Sequence, residues 1–264
     1  GGYGRGELYP FSDIDLLVEA PEVGRNLQEH ASVHTSCFVD VSTSNTLVKA
    51  WRMPGNILKY LLFGRGPLTA NPVEAMAFLR SEPGLAQPDI KLSFGPLIMG
   101  IRGPHQRAGI TIYANVAKPR SRGEIRLRSA DPAAQPIIDH RLLGDPEDVA
   151  ALIRGLKQVE QILRAPALAR HFRGRLTPNR VPQSDAEWEQ RVRSTAGIGY
   201  HPVGTCRMGG DAASVVDPRL RVRGVAGLRV ADASIMPVMP AANTNAPAIM
   251  VGEKAADLMK EDAA

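Results

Sequence analysis

The chain has 264 residues, of which 44% are hydrophobic and 22% charged, as expected of a soluble globular protein of one large or two ordinary domains. A net charge of +5 with 5% aromatic residues, and no Lys/Arg block interleaved with aromatics, argue against nucleic-acid binding. Cys37 and Cys206 cannot form a disulfide framework, and no Cys/His cluster has zinc spacing. Because no apolar stretch is long enough to span a bilayer and no leader pattern is present, we expect a cytoplasmic protein, with peripheral membrane contact left open.

The first twenty residues, GGYGRGELYPFSDIDLLVEA, are rich in glycine. They do not form a dinucleotide-binding turn, since the third glycine of G-x-G-x-x-G falls one residue early and no strand precedes the set. Asp13 and Asp15 are two apart on a predicted strand, so their carboxylates face one side and could hold a divalent metal. The alternative interpretation is a surface turn with two solvated acids.

The next part of the chain predicts a mostly antiparallel sheet. Residues 33–41 alternate as a strand, and residues 45–63 have a helical pattern that Pro54 and Gly55 interrupt. Three apolar runs between residues 73 and 116, separated by Pro and Gly, are typical of antiparallel strands. We expect GEIRLRS, residues 123–129, to continue the same sheet.

The second half predicts three helices. The clearest begins at Pro146, with Asp145 as its cap, and carries one apolar stripe. Ser184 and Glu187 have the spacing of a capping box. GLRVADASIMP is predicted to be a buried strand ending in a turn, and a last helix is expected from Asn245 to about residue 260. The fold class expected is α+β, an antiparallel sheet flanked by helices.

Two stretches near the end of the chain carry candidate chemistry. His201 lies in GYHPVGTCRMG, a loop rich in Gly and Pro, where a histidine is either catalytic or merely solvated. Asn243-Thr244-Asn245 precedes the last helix, and Asn245 could simply cap it.

These stretches belong to a longer pattern. HPVGTCRMG, DPRLRV, GLRVADASIMP and NTNAPAIMVGEKAADLM follow VGRNLQEH, RGPLTANPVEAMAFLRS and SRGEIRLRSADPAAQPIIDHRLL. In this order they resemble the carboxy-terminal part of the glucose-methanol-choline (GMC) flavin oxidoreductases, especially choline and aliphatic alcohol dehydrogenases. The resemblance implies FAD as cofactor, a small alcohol as substrate and oxidation of its CH–OH group by hydride transfer to the flavin.

The resemblance also assigns residues. His201 and Asn243 match the pair that faces the flavin where the alcohol binds, and a histidine titrating near neutrality suits the role of base. Five residues match positions near the cofactor: Asn26, Asp232, Ala233, Asn245 and Ala246. No G-x-G-x-x-G turn occurs in the chain, and that turn is the main anchor for FAD. We therefore expect impaired FAD binding, and exposed apolar surface that favours self-association.

The opening segment resembles a different family. Gly1 and Gly2 with Asp13 and Asp15 match the G-G-x(10)-D-x-D signature of nucleotidyltransferases of the PII-uridylyltransferase type, which implies Mg²⁺ at the two acids. We therefore predict a chimera with a junction near Ala20, a substrate-binding domain over residues 21–195, and a catalytic loop with a return into the FAD-binding domain over 196–264. Nucleotidyl transfer and an inactive fragment are the alternative functions.

Overall fold

The computed structural model describes residues 21–100 and 103–263. Asp13, Asp15 and the predicted junction near Ala20 lie outside these residues. Contacts divide the chain into two compact units. Unit 1 takes the described residues within Gly1–Ala31, Ala117–Asp148 and Ile198–Ala264, and unit 2 takes those within Ser32–Val116 and Val149–Gly197. The predicted division at residue 195 stays a prediction.

Unit 2 is built on a mostly antiparallel sheet. Among the described residues its strands are β1 (Ala31–Val39), β2 (Ala75–Leu79), β3 (Ile90–Gly95), β6 (Gly109–Val116), β9 (Phe172–Thr177) and β10 (Gly197–Ile198). A separate two-stranded hairpin, formed by β4 (Met99–Gly100) and β5 (Gly103–Pro104), lies between β3 and β6 in the chain. The order is β10-β1-β6-β3-β2, and β9 also pairs with β1. The three predicted apolar runs supply β2, β3 and β6, so the expected antiparallel sheet is confirmed.

The central strands are buried nearly throughout rather than on alternate residues, which indicates that both faces of the sheet are covered. In the register of β1 and β6, Ser36 lies opposite Thr111, and their hydroxyl oxygens are 2.9 Å apart. This cross-strand hydrogen bond satisfies two polar groups inside the sheet.

The longest helix of this region packs closely on the sheet. It is α3 (Pro146–Arg164), which begins in unit 1 and continues in unit 2. A Cβ added to Gly155 would lie 3.0 Å from Ile90 Cγ2, so glycine lets the helix approach β3. The predicted cap is confirmed, since Glu147 N donates to Asp145 Oδ1 at 2.8 Å.

Shorter helices complete unit 2. They are α1 (Ser44–Leu47), α2 (Met53–Phe63), α4 (Pro166–Ala169) and α5 (Asp185–Thr195), with 3-10 turns at Ala50–Arg52 and Pro67–Thr69. Ser184 caps α5 by accepting from Glu187 N, as the capping-box pattern predicts. In a capping box the Glu187 side chain would accept from the backbone N–H of Ser184. Here the Glu187 carboxylate instead accepts from Gln183 N and pairs with Arg180. The Arg180 hydrogen bond lowers the pKa of Glu187 to about 2.

Unit 1 contains a strand that does not join the larger sheet, contrary to the prediction for GEIRLRS. GEIRLRS forms β7 (Glu124–Arg126), which pairs with β8 (Ile137–Asp139) in a separate two-stranded sheet. The other edge of β7 is occupied as well, since Ile125 N donates to Gly24 O at 2.7 Å. Both edges are therefore paired within unit 1, which explains why this strand does not extend the larger sheet.

The predicted buried strand GLRVADASIMP is also wrong. Residues 228–230 bond only locally, through Val222 N to Leu228 O and Val230 N to Leu220 O, and a 3-10 helix follows at Ala233–Ile235. The predicted last helix is confirmed as α6 (Asn245–Ala263). Its buried residues Val251, Ala255 and Leu258 join the apolar core of unit 1. No helix in the described ranges is both long and apolar enough to cross a lipid bilayer.

Burial makes Cys37 chemically inert. This residue of β1 is 1% exposed, and burial raises the pKa of its thiol to about 11. At pH 8 the thiolate fraction is then about one in a thousand. In a Cys206→Ser variant we expect no reaction with a thiol reagent in the native state, and one reactive thiol in guanidinium. Rapid reaction of one equivalent of the thiol reagent with the native variant would contradict the placement of Cys37.

Candidate functional site

The centre of the candidate site is the segment from Asn26 to His30, in which Leu27 and Gln28 form β-bridges. It lies between two backbone partners within unit 1. Leu27 exchanges two hydrogen bonds with Gly123, at 3.0 and 2.8 Å, and Gln28 exchanges two with Val203, at 2.9 and 3.0 Å. The segment is therefore fixed on both edges, and its side chains alternate between opposite directions.

One side of the segment holds the loop from Pro237 to Pro240. The Asn26 and Gln28 amides donate to the carbonyl of Pro237 at 3.4 and 3.1 Å, and Met239 N donates to Gln28 Oε1 at 3.0 Å. His30 Nε2 lies 3.2 Å from the Pro240 carbonyl. Three residues spaced by two thus anchor the loop that leads to Asn243.

Glu29 organises the two histidines. Its side chain is only 4% exposed, and its carboxylate accepts from the backbone N–H of His30 at 2.8 Å and of His201 at 3.0 and 2.9 Å. Burial raises the pKa of Glu29, and these backbone hydrogen bonds oppose that rise. The carboxylate therefore fixes the main chain of the predicted catalytic loop.

The His201 ring is held by the ring of His30. The two Nδ1 atoms are 3.3 Å apart, and the rings meet edge to face with centroids separated by 5.4 Å. A carbonyl oxygen can only accept, so His30 Nε2 carries the proton that bonds to Pro240. In the neutral pair His30 Nδ1 then accepts from His201 Nδ1–H, which leaves His201 Nε2 as the unprotonated nitrogen.

Glu29, His30 and His201 could also be considered as metal ligands, because one ligand atom of each lies within 4.8 Å of the others. The carboxylate oxygens, however, already accept backbone N–H groups, and His30 Nε2 faces a carbonyl. These bonds make the cluster a hydrogen-bonded network that orients His201.

Gly204 allows the close approach of two segments. Its φ is +96°, and an added Cβ would lie 2.4 Å from the backbone oxygen of Asn26. Asn26 itself has a φ of 61° and donates to the Gly204 carbonyl at 3.2 Å. A side chain at position 204 would therefore push the loop of His201 away from the segment that holds it.

The other predicted site residues lie in the same unit, at its surface. Asn243, Asn245 and Ala246 are exposed at the start of α6, three to six residues after Pro240. Asp232 is also exposed, and its carboxylate accepts from Ser234 N at 2.7 Å as the cap of the 3-10 helix that begins at Ala233. The hydrogen bond from Cys206 N to Ser234 O, at 2.9 Å, places this helix beside the His201 loop.

No sequence pattern predicts the roles of Glu29 and His30. Both lie more than 170 residues from His201, so no local pattern joins them to it. The available signal is the spacing of the polar residues in NLQEH, where the side chains of Gln28 and His30, two residues apart, both bond to the loop from Pro237 to Pro240.

Comparison with known proteins gives a consistent result. The family profile described as GMC oxidoreductase matches residues 119–252. An alcohol dehydrogenase [acceptor] from Pseudomonas putida is 40% identical over 250 residues, which cover 93% of this chain and 45% of that protein. An oxygen-dependent choline dehydrogenase from Burkholderia pseudomallei is 37% identical over 265 residues, which cover 98% of this chain and 46% of that protein.

Solved structures agree with these sequence relatives. A variant of the formate oxidase from Aspergillus oryzae RIB40 superposes with a TM-score of 0.82 at 25% identity, over 91% of this chain and 48% of that one. Pyridoxine 4-oxidase from Mesorbium loti superposes with a TM-score of 0.75 at 26% identity, over 92% and 46%. This chain therefore spans slightly less than half the length of the relatives named here.

Replacing the Glu29 carboxylate tests its structural role. In Glu29→Gln an amide NH₂ replaces one carboxylate oxygen, so in either orientation of the amide a donor faces a buried backbone N–H where an acceptor lies in the wild type. We expect the free energy of unfolding to fall by about 1–3 kcal/mol in urea denaturation. The matched control is Glu253→Gln, at an exposed position on α6, which should change it by less than about 0.5 kcal/mol.

The same pair of proteins has an expected pH dependence. Because the pKa of Glu29 is raised, the folded chain binds this proton more tightly than the unfolded chain does. The stabilisation is complete at pH values below the pKa of the unfolded chain and is lost as the pH rises through the raised pKa of the folded chain. The stability difference between wild type and Glu29→Gln should thus shrink with rising pH, and a difference that grows would contradict this assignment.

The tautomer of His201 can be measured directly by nitrogen-15 NMR. We expect a protonated Nδ1 and an unprotonated Nε2 in the neutral ring, because His30 supplies the acceptor. In His30→Phe the acceptor is lost, and the His201 signals should shift to a mixture of tautomers. His171→Phe, which alters a half-buried histidine paired with Asp40, should leave them unchanged. A wild-type ring protonated at Nε2 would refute the arrangement.

Proposed function

Since this chain belongs to the GMC oxidoreductase family, we propose that it takes part in the FAD-dependent oxidation of the CH–OH group of a small alcohol. The observation that carries the proposal is the His30–His201 contact, which fixes the orientation of the His201 ring and places the proton of the neutral ring on Nδ1. The relatives' names, alcohol dehydrogenase and choline dehydrogenase, favour a hydroxyl-bearing substrate.

The proposed chemistry divides between proton and hydride. His201 Nε2 takes the hydroxyl proton as the C–H bond breaks, and a histidine suits this role because its pKa lies near neutrality. Glu29 and His30 are positioning residues, since they hold the main chain and the ring of His201. Asn243 donates a hydrogen bond to the alcohol oxygen and keeps it in line. FAD, when bound, supplies the hydride acceptor.

The residues proposed to hold FAD fit such a group. The first turn of α6, which contains Asn245 and Ala246, has no acidic residue, so its backbone N–H groups and helix dipole favour an electron-rich ligand. Exposed apolar side chains precede and follow this turn in the sequence, on Val238, Ile249 and Met250, and such side chains suit contact with an aromatic ring. Asp232 and Ala233 supply polar and backbone contacts, and Asn26 shapes the segment beside them.

Flavin binding and reduction test the proposal together. Because no G-x-G-x-x-G turn occurs in the chain, we expect the purified chain to bind FAD weakly and to quench its fluorescence only at high FAD concentration. We expect an added alcohol to bleach the visible absorbance of the bound flavin under anaerobic conditions. In His201→Gln the bleaching should slow by roughly a hundredfold or more while FAD still binds, because only the proton acceptor is lost. The control His171→Gln should match the wild type. Equal rates in His201→Gln and wild type, or no quenching, would reject the proposal.

Nucleotidyl transfer remains a separate prediction, with Mg²⁺ bound at Asp13 and Asp15. The alignment with the Burkholderia choline dehydrogenase covers 98% of this chain and therefore reaches into residues 1–20, which counts against a foreign origin for all of them. None of the relatives named above is a nucleotidyltransferase. Magnesium-dependent turnover of UTP that disappears in Asp13→Ala would favour this second function.

A further inference from the structure

A cluster of apolar side chains lies exposed on and beside α2. Trp51 and Leu61 are 72% and 73% exposed, and the remaining members are Ile57, Leu58, Leu62 and Phe63. None of the eleven residues of α2 is buried. We call this cluster, with the cations Lys49, Arg52, Lys59 and Arg65 around it, the basic apolar surface.

The helix is well defined although it buries no side chain. Its first turn contains Pro54, its Asn56 amide donates to the Leu47 carbonyl at 2.8 Å, and Gly64 ends it in the left-handed conformation. Ile57, Leu58, Leu61 and Leu62 have the spacing i, i+1, i+4 and i+5, which places them on one continuous face. An apolar face that stays exposed among the described residues, on a helix ended by a left-handed glycine, indicates a binding surface.

The charge of this region is entirely positive. No acidic residue occurs between Asp40 and Glu74. Among the residues that the structure describes, none of the four cations forms an ion pair, whereas most arginines beyond residue 120 pair with a carboxylate. Arg52 instead lies 4.6 Å above the ring of Trp51. The surface therefore offers unneutralised positive charge beside exposed hydrocarbon and an aromatic ring.

We propose that the basic apolar surface docks on an anionic lipid bilayer, with α2 lying in the plane of the interface. A helix of eleven residues is about 16 Å long, roughly half the hydrocarbon thickness, so it cannot span the bilayer. Its apolar face inserts among the acyl chains, the lysine and arginine stems extend to the lipid phosphates, and Trp51 lies at the boundary. This proposal does not depend on the function of His201.

Vesicle binding tests the proposal with the full chain. We expect sedimentation with vesicles of phosphatidylglycerol and phosphatidylcholine, weak binding to phosphatidylcholine alone, and release by salt. Trp51 should report insertion by a blue shift of its fluorescence, because the other tryptophan, Trp188, is buried. Lys59→Gln with Arg65→Gln should weaken binding roughly 25-fold, at about fivefold per cation.

Matched variants separate this surface from the rest of the chain. Lys254→Gln with Lys260→Gln removes two positive charges from α6 and should leave binding unchanged. Leu58→Glu should abolish the blue shift, whereas Met259→Glu, at a position equally exposed at 57%, should preserve it. Binding that is indifferent to lipid charge, or equal loss in both charge variants, would overturn the proposal. So would self-association that Leu58→Glu removes, since a second copy of the chain would then be the occupant.

Discussion

The buried carboxylate of Glu29 is the constraint on which the candidate site depends. It brings together the main chain of His30 and that of His201, which are 171 residues apart. A buried carboxylate is costly unless its oxygens are hydrogen-bonded, and here backbone N–H groups supply the bonds. Because these donors are backbone N–H groups, a side-chain substitution elsewhere in the loop does not remove them.

The segment from Asn26 to His30 contacts a different loop on each of its two sides. One side anchors the loop before Asn243 through Asn26, Gln28 and His30, and Glu29 holds the His201 loop. The loop that contains His201 and the loop from Pro237 to Pro240 are thus both fixed to one short segment. Such a segment positions the two residues of the proposed reaction without requiring either of them to lie on a helix or a long strand.

The sequence predicted the elements whose signals are local. Helix α3 follows from its Asp145 cap and apolar stripe, and α6 from the asparagine and proline at its start, because these features act within a few residues. The errors are non-local. Glu124–Arg126 has the alternation of a strand, but its partner depends on which edge is free, and here Gly24 and Ile137–Asp139 occupy both edges. His201 was predicted from its motif, whereas its partners were not, since their hydrogen bonds leave no periodic trace in the sequence.

We propose that Glu29 and His30 hold His201 as a proton acceptor. Neutron diffraction from a deuterated crystal at mildly alkaline pH tests this arrangement, since it locates the protons on both rings. We expect deuterium on His30 Nε2 and His201 Nδ1, and none on His201 Nε2. Deuterium on His201 Nε2 in the neutral ring, or a His201 backbone N–H directed away from the Glu29 carboxylate, would contradict it.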